Sequence, residues 1–447
     1  AWGEKGGLNA YVGEGLGDES WAEGRIYPAG NPWFFGPGHM MKSPTKQRLL
    51  DTISFMHDLQ GKFYDRFEKA IRDTGYEGVI MTSNWQAGQA FSHFSNLHAD
   101  SRFDIIDRHN YFNGAGSMLA RPGGGMLSSG MQQVAGLPFM LSEWIHVFPN
   151  EYGVEGPAIL GAYGMGLNGW DVSFIFQNMD SGEFRKELKD AWDFVAPQVL
   201  GVFPAVARQV YRGDVKESDV TFVRKVHEPS LVEGKLGFED MVEQGYDNKE
   251  FSSDVAPAST LAMGRGLVEF TDAYETSEKV DMAKYTREGV LHSSTEELAW
   301  TPGASAHDGH IAIDTPGTQA VVGFASGVVT ELADVTITLE SNYAAVYVTA
   351  LSPKGTLASD KNLLVTTIAR VRNTGMKMVV GEMVARGEGP MLVEPVKVEI
   401  QLNRKGSPKV YVLDHDGRRT DKQVKVNNGK IVLDGAKTHA MYYEIVY

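Results

Sequence analysis

Glu143 is the residue whose setting most suggests chemistry. It ends a short apolar run, Leu137-Pro138-Phe139-Met140-Leu141-Ser142, and Trp144 follows it. A carboxylate at the end of an apolar strand sits where α/β folds gather reactive groups, and it can act as a nucleophile or as a general acid or base. The bland alternative is a buried glutamate in an ion pair. It is the weaker one, because neighbouring strand ends are also polar and aromatic and glutamate is seldom buried without cause. His109-Asn110-Tyr111 offers neutral hydrogen-bond partners beside an aromatic face, a mixture that suits sugar hydroxyls stacked on rings. Taken alone, this segment reads better as an Asp107-Arg108 ion pair beside a satisfied core histidine. Asn84-Trp85 reads equally well as a sugar contact or as a capping asparagine with a packing tryptophan. Trp170 is a possible stacking platform, although a core tryptophan is the commoner occurrence.

Other motifs carry less. Asp414-His415-Asp416-Gly417 lacks the downstream glutamate of a calcium loop and fits a hairpin turn. His307-Asp308-Gly309-His310 lacks a third ligand, so no metal site and no cofactor are expected. There is no G-x-S-x-G, no H-E-x-x-H and no P-loop. The 447 residues contain no cysteine, which removes disulfides and thiolate chemistry. With 42 basic and 57 acidic residues the net charge is −15, which argues against nucleic-acid binding and mildly against highly sulfated ligands, unless arginines such as Arg108 line the cleft. No run approaches the ~18 apolar residues of a membrane span.

The elements that must position these residues alternate. Ser43 to about Asp73 reads as one long helix with Leu49, Ile53, Met56, Phe63, Phe67 and Ala70 on one stripe, proline at its first turn and Gly75 as its stop. Short apolar strands follow at Gly78–Thr82, Phe103–Asp107, Leu137–Leu141 and Gly169–Phe176, with a helix from about Val154 to Met165 and a helix-like stretch from Phe184 to about Tyr211 that Pro197 and Pro204 must interrupt. Strands alternating with helices predict a parallel sheet with crossovers. Gly123-Gly124-Gly125 reads as a flexible loop over the strand ends. Beyond residue 215 the period becomes two, as in Val335–Leu339 and Val396–Leu402, and Asn428-Gly429 marks a hairpin. The expected organisation is an α/β domain over 1–215, a β-sandwich over 216–387 and a small β-sandwich over 388–447.

The series Ser83-Asn84-Trp85, Asp107-Arg108-His109-Asn110-Tyr111-Phe112, Leu141-Ser142-Glu143-Trp144 and Gly169-Trp170-Asp171 resembles the second half of a clan A glycoside hydrolase. In that clan a (β/α)8 barrel of the TIM type is often followed by β-sandwich domains. The resemblance implies the C-terminal half of an α/β barrel, strands five to eight, plus all-β domains. It implies Glu143 as the catalytic nucleophile of a retaining glycosidase of β-linked poly- or oligosaccharides, with Asn84, Trp85, His109 and Tyr111 lining the sugar site. Asn110, Trp144 and Trp170, at the same strand ends, are expected there too. Agarases, carrageenases, and β-galactosidase-like or β-glucuronidase-like enzymes are similar in build, and a secreted or periplasmic location follows by analogy.

Retaining hydrolysis needs a second carboxyl ~5–5.5 Å from the first. In the clan it is a glutamate after an asparagine at the end of strand four, and no Asn-Glu dipeptide precedes Glu143. Glu14 and Glu19 lie in a loop-like segment and read as solvent-exposed carboxylates. Four strand units precede the all-β region, whereas a closed barrel needs eight. The expectation is that a second polypeptide or an N-terminal fragment supplies strands one to four and the acid/base; the opening at Ala1, without methionine or apolar leader, fits it. The runner-up reading is a non-catalytic carbohydrate-binding or assembly subunit with a degenerate half-barrel.

Overall fold

The computed structural model describes residues 7–11, 16–29, 32–40, 43–85, 88–113, 116–177, 185–189, 192, 194–234, 240–245, 248–253, 255–379 and 381–447. Glu14 and Phe184 lie outside them. The long helix is present as α1, Ser43–Arg72, and Gly75 beyond its end has φ 85°. Leu49, Leu50 and Ile53 bury against Phe34 and Phe35, and Tyr64 against Ile80, Ala99 and Phe103. Met56, Phe63, Phe67 and Ala70, expected on the same buried stripe, are exposed, as are Phe55 and Leu59. The helix packs through Leu49, Ile53 and Tyr64, and the row Phe55, Leu59, Phe63, Phe67 lies on another, exposed face.

The strand expected over Gly78–Thr82 is reduced to one parallel bridge, Met81 to Ile105. Helix α2, Ala90–Asp100, leads to β1, Ile106–Phe112. Strand β2, Phe139–His146, pairs in parallel with β1 and with β3, Val172–Ile175. Between β2 and β3 lies the short helix α3, Glu155–Ile159, which continues as a π-helical stretch over Leu160–Leu167. Helix α4, Phe203–Arg212, ends in Gly213 with φ 62°. Three parallel strands and one bridge stand where the resemblance implies strands five to eight, and among the described residues they form an open sheet.

A buried polar network ties these pieces together. Arg108, fully buried, binds Asp100 at 3.0 Å and Gln132 at 2.5 Å, while Tyr64 and Thr82 donate to the same Asp100 at 2.9 and 2.8 Å. Breaking such a pair would leave an uncompensated charge in the core. Gly123-Gly124-Gly125, expected as a loop over the strand ends, is buried instead and leads into the 3-10 turn Gly125–Gln132. Gly123 has φ 73°, and a Cβ there would lie 1.9 Å from the Ala258 carbonyl oxygen. Gly123→Ala should therefore destabilise the protein by about 3 kcal/mol, read as a lowered midpoint in urea with an unchanged slope.

The β-rich remainder differs from the expected division. Strands β4, Val220–His227, and β5, Arg265–Thr271, pair in parallel, and Val268 bridges to Val134 of the α/β part. Residues 216–271 thus pack with the first domain. A ten-stranded and a five-stranded antiparallel sheet follow. Asn362–Ile368 pairs with Tyr442–Val446 in the first, and Val335–Leu339 with Lys397–Leu402 in the second, so the strands beyond 388 complete both sheets of one sandwich. The boundary at 387/388 is corrected accordingly: neither sheet closes its face without those strands. Asn428 and Gly429, with φ 52° and 78°, turn the expected hairpin.

The sandwich docks on the α/β part through buried aromatics. Trp300 donates to the Leu119 carbonyl at 2.8 Å and lies 5.0 Å from the Tyr163 ring. Glu155, fully buried, accepts from Ser117 Oγ and Met118 N at 2.7 Å and from Tyr343 of the sandwich at 3.2 Å. Among the described residues no helix is long and apolar enough to cross a membrane.

Candidate functional site

Strands β1 and β2 and the Trp85 ring bring together four of the expected residues, His109, Tyr111, Glu143 and Trp85; Glu143 lies inside β2 rather than at its end, because the strand continues to His146. Along β1, alternation places Asp107, His109 and Tyr111 on one face and Arg108 and Asn110 on the other. On β2 the register against β1 shifts between Arg108 and His109: Arg108 faces Leu141, and His109 faces Glu143. Ser142 is the extra residue of a bulge, so Ser142 and Glu143 both reach the Asp107 face. Phe139, Leu141 and Trp144 point the other way, into the main core.

Glu143 is about one-third exposed, with 32% of its side chain accessible. Its Oε2 accepts from the Tyr111 hydroxyl and lies 3.2 Å from His109 Nδ1, while Oε1 has no partner among the described residues. His109 Nε2 lies 3.0 Å from Ser142 Oγ, which donates to Asp107 Oδ2 at 2.7 Å. The Ser142 N–H donates to Asp107 Oδ1 at 3.1 Å. Burial pushes the Asp107 carboxyl above its ordinary value, against the pull of these Ser142 hydrogen bonds. Aromatic rings wall the group: Trp85, 55% exposed, is 6.3 Å from the His109 ring, and Tyr111 meets Trp192 at 4.9 Å and Phe176 at 6.0 Å. From Trp85 a groove of about 690 Å³ runs along α1, past Ser83, Gln60, His57 and Phe63. A larger cavity of about 820 Å³, between α4 and the sandwich, holds no member of this cluster.

A carboxylate with one oxygen held by two neighbours and the other open suits attack on, or proton abstraction from, a bound hydroxyl-rich ligand. Three expected contacts do not join it. Asn110 is fully buried and donates to Ser129 Oγ at 3.0 Å. Trp144, 4% exposed, donates to Ser173 Oγ at 2.7 Å on the core side. Trp170 is buried against Phe139 at 5.1 Å. In each case the strand pleat or the following packing turns the side chain away from Glu143. Asn84 is half-buried beside Trp85. Arg108, offered as a cleft residue, is sealed on the core side, and its ion-pair partner is Asp100 rather than Asp107.

Glu19 is not the exposed loop carboxylate that was expected. It is buried and pairs with the buried Arg48 at 2.5 Å. Burial raises its carboxyl, but Arg48 and the N–H groups of Tyr27 and Asn9 outweigh that and hold it below its ordinary value. Sequence reasoning missed Ser142, Asp107, Phe176 and Trp192 as members of the cluster. Asp107 was legible only as a partner for Arg108, and Trp192 falls in the stretch expected as one helix from Phe184 to about Tyr211, of which the described residues form helix only at Pro197–Leu200 and Phe203–Arg212.

Scans against protein-family models, curated proteins and solved structures returned no match.

Proposed function

We propose that this chain is the nucleophile-bearing part of a retaining glycosidase that acts on β-linked poly- or oligosaccharides. The observation that carries the reading is the Glu143 carboxylate within β2, with Oε2 held by Tyr111 and His109, Oε1 without a partner among the described residues, and the exposed Trp85 ring beside His109. Oε1 attacks the anomeric carbon and forms a glycosyl ester as the leaving oxygen is protonated; water then cleaves the ester. The acid/base comes from a second polypeptide or an N-terminal fragment that also completes the barrel. In support of a completing segment, Phe55, Leu59, Phe63 and Phe67 form an exposed apolar row on α1, and Val79 and Met81, beside the bridge at the sheet's edge, are 63% and 47% exposed.

A 2-deoxy-2-fluoro glycosyl fluoride tests the assignment, because it stalls a retaining enzyme at the ester. Incubation of the native material with β-galactosyl, β-glucuronyl and β-glucosyl reagents should add one sugar mass to the peptide that contains Glu143. A label on another carboxylate would overturn it. The alternative reading, a non-catalytic sugar-binding subunit, draws on the fact that Glu19 is committed to Arg48; it predicts sugar binding with no label at all.

A further inference from the structure

The chain of contacts from Asp107 to Glu143 fixes where protons sit. A serine hydroxyl has one proton, and Ser142 gives its proton to Asp107 Oδ2 at 2.7 Å. Toward His109 Nε2, 3.0 Å away, Ser142 Oγ can then only accept, so Nε2 carries a proton. The other ring nitrogen, Nδ1, faces Glu143 Oε2 at 3.2 Å. That contact needs one proton, either on Nδ1 or on the carboxyl. Tyr111 donates its only hydroxyl proton to the same Oε2, which favours the ionised carboxylate and places the shared proton on Nδ1.

We propose that Asp107 is a positioning residue that acts through Ser142 and His109: it holds His109 as an imidazolium, with Nδ1 donating to Glu143 Oε2. The catalytic consequence rests on Glu143 being the nucleophile; the proton placement rests on the contacts alone. Among the described residues, the charged and titratable groups around the ring are Asp107 and Tyr111 from β1 and Glu143 from β2. Arg108 lies on the opposite face of β1, bound to Asp100. Trp85 adds an uncharged ring.

Ring-¹⁵N-labelled histidine in the native protein reads this directly, with the His109 signals identified by their loss in His109→Gln. At pH 7 both ring nitrogens of His109 should be protonated. In Asp107→Asn the Ser142 N–H still holds the side-chain oxygen, so the new amide NH₂ faces Ser142 Oγ and donates to it. The hydroxyl must then donate to Nε2, and His109 should become neutral with its proton on Nδ1. Ser142→Ala removes the link without reversing it, and should abolish the slow exchange of the Nε2 proton. On any glycoside that is turned over, Asp107→Asn should lower kcat with KM unchanged, because the nucleophile loses the cation that orients it. A wild-type His109 protonated on Nδ1 alone, or an Asp107→Asn spectrum identical to wild type, overturns the proposal. The expected ¹⁵N pattern without turnover of any glycoside would remove the glycosidase reading and leave the relay standing.

Discussion

Glu143→Gln should abolish turnover, by ~10⁴-fold or more, on every glycoside the native protein accepts. The amide is nearly isosteric and its oxygen can still accept from Tyr111, so the geometry survives while the attacking oxygen loses its charge. Because Glu143 is about one-third exposed and the amide oxygen can keep its contacts with Tyr111 and His109 of β1, the substitution should change stability by less than about 0.5 kcal/mol. The check is a comparison of kcat on agarose, carrageenan and aryl β-glycosides with the urea midpoint of the same samples. Activity within a few-fold of wild type would exclude Glu143 as nucleophile, and a lowered midpoint would show that the loss came from unfolding.

Thermal stability should fall as pH rises from about 5 to 8, and Glu155→Gln should flatten much of that slope. Burial pushes the Glu155 carboxyl up to about 8 in the folded protein, against hydrogen bonds from Ser117, Met118 and Tyr343 that favour the charge. Below its unfolded value of 4.5 the group is protonated in both states and its contribution is intact. Between 4.5 and about 8 the unfolded chain ionises while the folded one resists, so stability drains away, and above about 8 the loss is complete. The interval corresponds to at most ~5 kcal/mol. No cation pairs with Glu155 among the described residues, so ionisation leaves a bare charge at the junction with the sandwich. Glutamine keeps an acceptor and never ionises. Wild-type melting curves that are the same at pH 5.5 and 8.5 would contradict this account.

The sequence made visible whatever depends on local periodicity and hid whatever depends on partners. The helix over Ser43–Arg72 follows from caps and spacing, yet its spacing does not say what lies against Phe63 and Phe67. That Glu143, His109 and Tyr111 sit on strands was legible because each follows a short apolar run; they lie within longer strands rather than at their ends, and the run before Trp85 forms only a bridge at Met81. Asn110 and Trp144 were read into the same cleft because facing depends on register, and the bulge at Ser142 exists only relative to β1. The alternation of Val335–Leu339 and Lys397–Leu402 showed two strands, and only their pairing shows that they share a sheet. Arg108 likewise had an acidic neighbour in sequence, Asp107, and a different one in space.

The bulge at Ser142 also sets how this region can change by descent. Loss of the Ser142 codon alone would restore plain alternation against β1 and leave Glu143 opposite His109 and Trp144 on the core side, because the bulge absorbs one residue. What would vanish is the link from Asp107 to His109, since Ser142 carries both of its contacts. The extra residue thus adds a hydroxyl to the cleft without moving the carboxylate or the core tryptophan. Relatives one residue shorter here are expected to keep the carboxylate and to lose its connection to Asp107.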